Sequence, residues 1–128
     1  MTSNDFPFDI SLTDVHKSYP TGFLKKKEAV RGVSFAVPRG EVVGLLGPNG
    51  SGKSTILKMT LGFIRPTSGE ILVCGHAPAE RQSRAVVGYL PENPRFQKFL
   101  TAKEVLFYYG ALCGLPKTVL TQRVDELA

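Results

Sequence analysis

The chain has 128 residues, 42% hydrophobic and 21% charged, with thirteen glycines, nine prolines and no tryptophan, which excludes a disordered polyampholyte or a fibrous repeat. Its length allows one core, or a piece of a larger one, and argues against two domains. Sixteen Lys+Arg against eleven Asp+Glu give a formal charge of +5. That balance suits an anionic partner such as a nucleotide, a nucleic acid or a lipid headgroup, and does not choose among them.

Met1 to Ile10 has no basic cluster followed by an apolar stretch, so no secretory signal is expected. No apolar run approaches the roughly 18 residues of a membrane-spanning helix, and a soluble, cytosolic chain is expected. Cys74 and Cys113 lie far apart without Cys-x-x-Cys or Cys/His ligand spacing. Two buried thiols in a reducing compartment are expected, without metal binding or catalysis.

Asp9 to Tyr19 places Ile10, Leu12 and, past Thr13-Asp14, Val15 in a largely alternating pattern that predicts a first strand. Pro20-Thr21-Gly22 breaks it. The charged connection Lys25-Lys26-Lys27-Glu28, read as a solvated hairpin tip, leads to a second strand over Ala29–Val37 and a turn at Pro38-Arg39-Gly40. Val42 to Leu46 is apolar without alternation, as in a parallel strand covered on both faces, and is expected to be the most buried strand. Residues 47–52 form a loop. Ile56, Leu57, Leu61 and Ile64 then keep helical spacing over Lys53–Ile64, and Arg65-Pro66-Thr67-Ser68-Gly69 ends that helix. Short strands are expected over Ile71–Cys74 and Val86–Leu90. Thr101-x-x-Glu104 is a capping box ahead of a helix through Leu112 that is apolar on nearly every side and is expected to be covered all round. Leu115-Pro116 starts a last helix with Leu120, Val124 and Leu127 on one side.

Residues 47–55 read Gly-Pro-Asn-Gly-Ser-Gly-Lys-Ser-Thr and match G-x-x-x-x-G-K-[ST] between an apolar run and an amphipathic helix. Gly47, Gly50 and Gly52 permit the backbone conformations that turn successive N–H groups inward, while Pro48, Asn49 and Ser51 complete the loop. The helix behind adds its unsatisfied amides and the positive end of its dipole. In this pattern Lys53 would reach the β- and γ-phosphates of a nucleotide, the Ser54 hydroxyl would hold Mg²⁺, and Thr55 would add a phosphate contact.

The stretch from Val30 through Thr55 resembles the ATP-binding domain of ABC transporters, and the similarity extends from about Ile10 to the end of the chain. The resemblance implies an α/β fold: a P-loop NTPase of the ABC ATPase type, incomplete, with an antiparallel β part, the start of a parallel core and the start of a helical subdomain. Residues 1–95 are expected to carry the P-loop and a Q-loop-like segment, and residues 96–128 to begin the helical subdomain. Tyr19 occupies the place of the family's adenine-stacking aromatic. Gly88-Tyr89-Leu90-Pro91-Glu92-Asn93 looks like the Q-loop, with Glu92 where a glutamine normally touches Mg²⁺ and the attacking water. A carboxylate can ligate the metal but cannot donate as an amide does. The Leu-Pro-Glu-Asn sequence looks typical of the exporter branch with ABC-2 type membrane partners. Lys53 and Glu92 are thus the catalytic expectation, and Ser54 and Glu92 the metal expectation.

The 128 residues contain no apolar strand ending in a Mg²⁺-holding Asp with a neighbouring Glu, no Leu-Ser-Gly-Gly-Gln signature and no switch histidine; His16 and His76 are not placed for that role. These elements follow later in family order, so the chain is expected to be an N-terminal part that binds ATP without hydrolysing it, marginally stable or prone to aggregate. The complete protein is expected to be an ATPase driving transport through a separate transmembrane permease. It would pair with a second ATP-binding subunit at the cytoplasmic face of the membrane, and no nucleic-acid partner is expected. The alternatives are a non-catalytic nucleotide-binding fragment and a soluble ABC-type ATPase unconnected with transport.

Overall fold

β1 (Phe8–Pro20) and β2 (Lys26–Pro38) pair antiparallel, in register from Phe8 opposite Pro38 to Pro20 opposite Lys26, and β3 (Ser68–Val73) pairs antiparallel with the other side of β1. The three-stranded order is β2-β1-β3. The computed structural model describes residues 6–23 and 25–127. The interrupted alternation in β1 has a local cause: the register shifts between Leu12 and Val15, where Asp14 takes φ 47°. One extra residue there returns Val15 to the face of Leu12. Both are buried, Val15 completely.

α1 (Lys53–Thr60) lays Ile56 and Met59 on that face, forming a core with Leu12, Val15, Val30 and Ile71. The helix is shorter than the periodicity predicts. Gly62 turns with φ 74°, and Ile64 packs on the core from beyond the helix. The connection to β3 is tied to β1: Thr67 N–H donates to the His16 carbonyl at 2.8 Å, Ser18 N–H to the Thr67 hydroxyl at 3.0 Å, and Lys17 Nζ to the Arg65 carbonyl at 2.6 Å. After β2, Asp9 accepts from Gly40 N–H at 2.9 Å and so holds the predicted turn. A short helix α2 (Arg81–Val86) follows β3.

Val42–Leu46, expected as the most buried strand, forms no ladder, and Val42 and Leu46 are 99% and 91% exposed. A central parallel strand needs neighbours on both edges to pair its N–H and C=O groups; among the described residues no strand lies beside it. The strand expected over Val86–Leu90 is likewise corrected: Val86 ends α2, and Tyr89 and Leu90 are exposed and unpaired. Among the described residues the sheet is therefore antiparallel throughout, and the start of the parallel core is not formed as a ladder.

Two compact units divide between Tyr89 and Leu90: the first holds the sheet with α1 and α2, the second α3 and α4. In the second unit α3 (Ala102–Leu112) and α4 (Lys117–Leu127) pack with Leu120 and Val124 buried and a Lys103–Asp125 ion pair at 3.1 Å. The capping box is formed as predicted. α3 is not covered all round: none of its residues is buried, because a single neighbouring helix shields one stripe. Leu127 is exposed rather than part of α4's buried side. Cys74 is half-buried and Cys113 exposed, not the two buried thiols expected. Among the described residues no helix is long and apolar enough to cross a membrane.

Candidate functional site

Residues 47–52 form a tight loop feeding directly into α1. Ser51 N–H donates to the Pro48 carbonyl at 3.2 Å, and Asn49 and Gly50 sit at the exposed apex. Gly50 and Gly52 have φ 82° and 95°, the left-handed region that L side chains avoid. At Gly52 a side chain is barred twice over, because a Cβ would lie 2.5 Å from the Ala29 carbonyl oxygen of β2. The loop is thereby seated against the strand, and its last residue becomes the N-cap of α1.

That helix end has no side-chain cap and no acidic residue in its first turn. Among the described residues no side chain caps its leading amides, which together with the dipole can meet an anionic acceptor. Lys53 turns inward over the loop, its Nζ donating to the Gly47 carbonyl at 2.6 Å and the Pro48 carbonyl at 2.8 Å. An ammonium has three donors, so one N–H remains for a phosphate oxygen. Ser54 is exposed at the same helix start, and Thr55 is half-buried beside it. One hydroxyl suits Mg²⁺, which binds through one or two protein ligands and otherwise through phosphates and water. The donor set therefore fits a metal–triphosphate.

Tyr19 stands at the end of β1, opposite Lys27 of β2. Gly52 abuts Ala29, two residues further along β2, so the strand pairing brings Tyr19 and the loop to one end of the hairpin, about 7 Å apart along the strand. Lys17 Nζ lies 5.3 Å from the Tyr19 ring centroid. The sequence reading missed Lys17; residues i and i+2 of a strand share a face, and that signal was available. Glu92 lies in the second unit, exposed after Pro91. Among the described residues no three His, Cys, Asp or Glu side chains gather as a metal site. His16 and His76 engage Asp14 at 3.1 Å and Glu80 at 3.4 Å. A cavity of about 450 Å³ at the other end of α1 is lined mainly by apolar residues such as Met59, Ile64, Pro66 and Ile71, with Arg65 and Glu70 as its charged members.

A glycine-seated loop, an uncapped helix start and an inward lysine define a P-loop nucleotide-binding domain. The ABC transporter family pattern matches residues 30–128, and the chain belongs to that family. An uncharacterized ABC transporter ATP-binding protein of Nostoc sp. is 41% identical over 99% of this chain and 38% of its own length. A solved ATP-binding subunit of an ABC transporter superposes with a TM-score of 0.69 at 32% identity, over 85% of this chain and 44% of the other. CbiO1 of Clostridium perfringens, part of the CbiONQ transporter complex, gives 0.73 at 26% identity over 94% of this chain and 49% of its own. The chain thus spans less than half the length of each.

Proposed function

We propose that this chain is the N-terminal part of the ATP-binding subunit of an ABC transporter and binds Mg²⁺–ATP at residues 47–55, with Tyr19 stacking on adenine. The observation that carries the reading is the inward Lys53, anchored to the Gly47 and Pro48 carbonyls at the uncapped start of α1. Gly50, Gly52 and Lys53 offer amides to the phosphates, Ser54 would hold the metal and Thr55 would add a contact, while the Ser51 amide stays within the loop on the Pro48 carbonyl. Mg²⁺, when bound, would supply charge neutralisation to the phosphates.

In the complete protein the same site serves ATP hydrolysis, coupled to a transmembrane permease and completed by a second ATP-binding subunit at the cytoplasmic face of the membrane. The Leu-Pro-Glu-Asn sequence favours the exporter branch. The 128 residues lack the acidic strand and the signature sequence, so binding without appreciable turnover is expected of this stretch alone.

Titration with ATP and AMP tests the site. Lys53→Ala is expected to weaken ATP by roughly tenfold to a hundredfold, the worth of a charged hydrogen bond, and to leave AMP nearly unchanged because it lacks the outer phosphates. Equal ATP affinity in the two proteins removes the assignment.

A further inference from the structure

The turn between β1 and β2 carries Phe23 and Lys25, Lys26 and Lys27, none of which the nucleotide reading uses. Thr21 closes this turn. Its backbone N–H donates to the Lys25 carbonyl at 2.7 Å and its hydroxyl to the same oxygen at 3.2 Å, which ties the chain together on either side of Phe23. Its side chain is wholly exposed, at 104%, and has all its apolar transfer free energy still to gain from burial.

The three lysines are exposed as well. The acid beside them, Glu28, is engaged by Arg31 at 3.1 Å and does not offset their charge. Lys26 and Lys27 continue β2 opposite Pro20 and Tyr19, and successive strand residues project to opposite faces. Positive charge therefore flanks both sides of a turn with an exposed aromatic at its end.

We propose that this hairpin tip is an interfacial anchor for an anionic bilayer surface, with Phe23 entering the boundary between headgroups and acyl chains and Lys25–Lys27 lying on phosphate-bearing headgroups. Exposed apolar surface flanked by lysines complements such an interface, which is charged outside and hydrocarbon beneath. A single-stranded nucleic acid is instead tracked along a groove by several stacking aromatics, and this turn offers one. The proposal goes beyond the nucleotide reading: Lys27 lies opposite Tyr19 on the hairpin, but neither Lys53 nor the Tyr19 ring takes part.

Co-sedimentation of the 128-residue chain with phosphatidylcholine vesicles, with and without phosphatidylserine, tests it. Binding is expected only to the anionic vesicles and is expected to weaken with salt. The combined Lys25→Gln, Lys26→Gln, Lys27→Gln variant is expected to lower partitioning roughly a hundredfold, about fivefold per lysine. Phe23→Ser is expected to lower it about tenfold. The triple Lys→Arg variant should retain binding, which separates lost charge from lost folding, and Lys53→Ala should bind vesicles as the parent does. Equal binding to neutral vesicles, parental binding by the triple Gln variant, loss of binding in the triple Arg variant, or tip-dependent binding to an RNA oligonucleotide without vesicle binding would each overturn the proposal.

Discussion

Lys53 gives two of its three donors to carbonyls of its own loop, which fixes the ammonium before any phosphate arrives and limits the side-chain entropy lost on binding. Gly52 is as constrained by its backbone as Lys53 is by its charge. Gly52→Ala must place a Cβ both at φ 95° and against the Ala29 carbonyl. It is expected to cost about 2 kcal/mol and to lower the melting temperature by about 8 °C or more, read by calorimetry. Tyr19 is a separate contributor: Tyr19→Ala should weaken ATP by about 1–3 kcal/mol and leave inorganic tripolyphosphate unaffected. Equal losses for the two ligands would mean that the ring does not stack on the base.

At the scale of elements, α1 and α3 begin in opposite ways, and their chemistry follows. α3 satisfies its first turn internally: the Thr101 hydroxyl accepts from Glu104 N–H at 3.3 Å, and Glu104 accepts from Thr101 N–H at 2.7 Å and from its hydroxyl at 2.8 Å. These bonds, the backbone one foremost, hold the Glu104 carboxyl below its usual range. A carboxylate whose folded pKa is depressed contributes stability above its unfolded value and loses it as pH falls through the folded one. The ellipticity of α3 should therefore fall on the acid side of the ordinary glutamate range, and Glu104→Gln should abolish that dependence in a pH titration followed by circular dichroism. Thr101→Ala should cost about 1 kcal/mol at neutral pH. α1 has no side-chain cap and no acidic residue in its first turn, which suits the anion binding proposed for it.

At the scale of the whole molecule, burial is concentrated where β1 meets α1 and β3, while Val42, Leu46, Leu90 and Phe99 remain exposed. Amides of Leu12, Val15 and Val30 are expected to exchange slowest with deuterium and those of Val42–Leu46 close to the unprotected rate, because the latter make no ladder. Slow exchange at Val43 and Leu45 would show a strand partner and contradict the exposed segment. Met59 is 1% exposed at the centre of the sheet–helix core, and Met59→Ala is expected to cost about 2–5 kcal/mol. That is a large share of the stability of a domain this small, so the sheet unit should lose its cooperative melt.

The residues alone determined what depends on neighbours in sequence. The loop at 47–52, the capping box at Thr101 and Glu104, the turn at Pro38–Gly40 and strands β1 and β3 were legible because turn chemistry, caps and period-2 patterns act over a few residues. Tertiary structure decided what depends on pairing. Apolarity marked Val42–Leu46 for burial, but no strand among the described residues lies beside it. The cover of α3, the bulge at Asp14 and the strapping of Lys17 to Arg65 likewise depend on which segment lies alongside. A backbone amide can report its need for a partner through the sequence around it, whereas which segment meets that need is settled only when distant segments fold together.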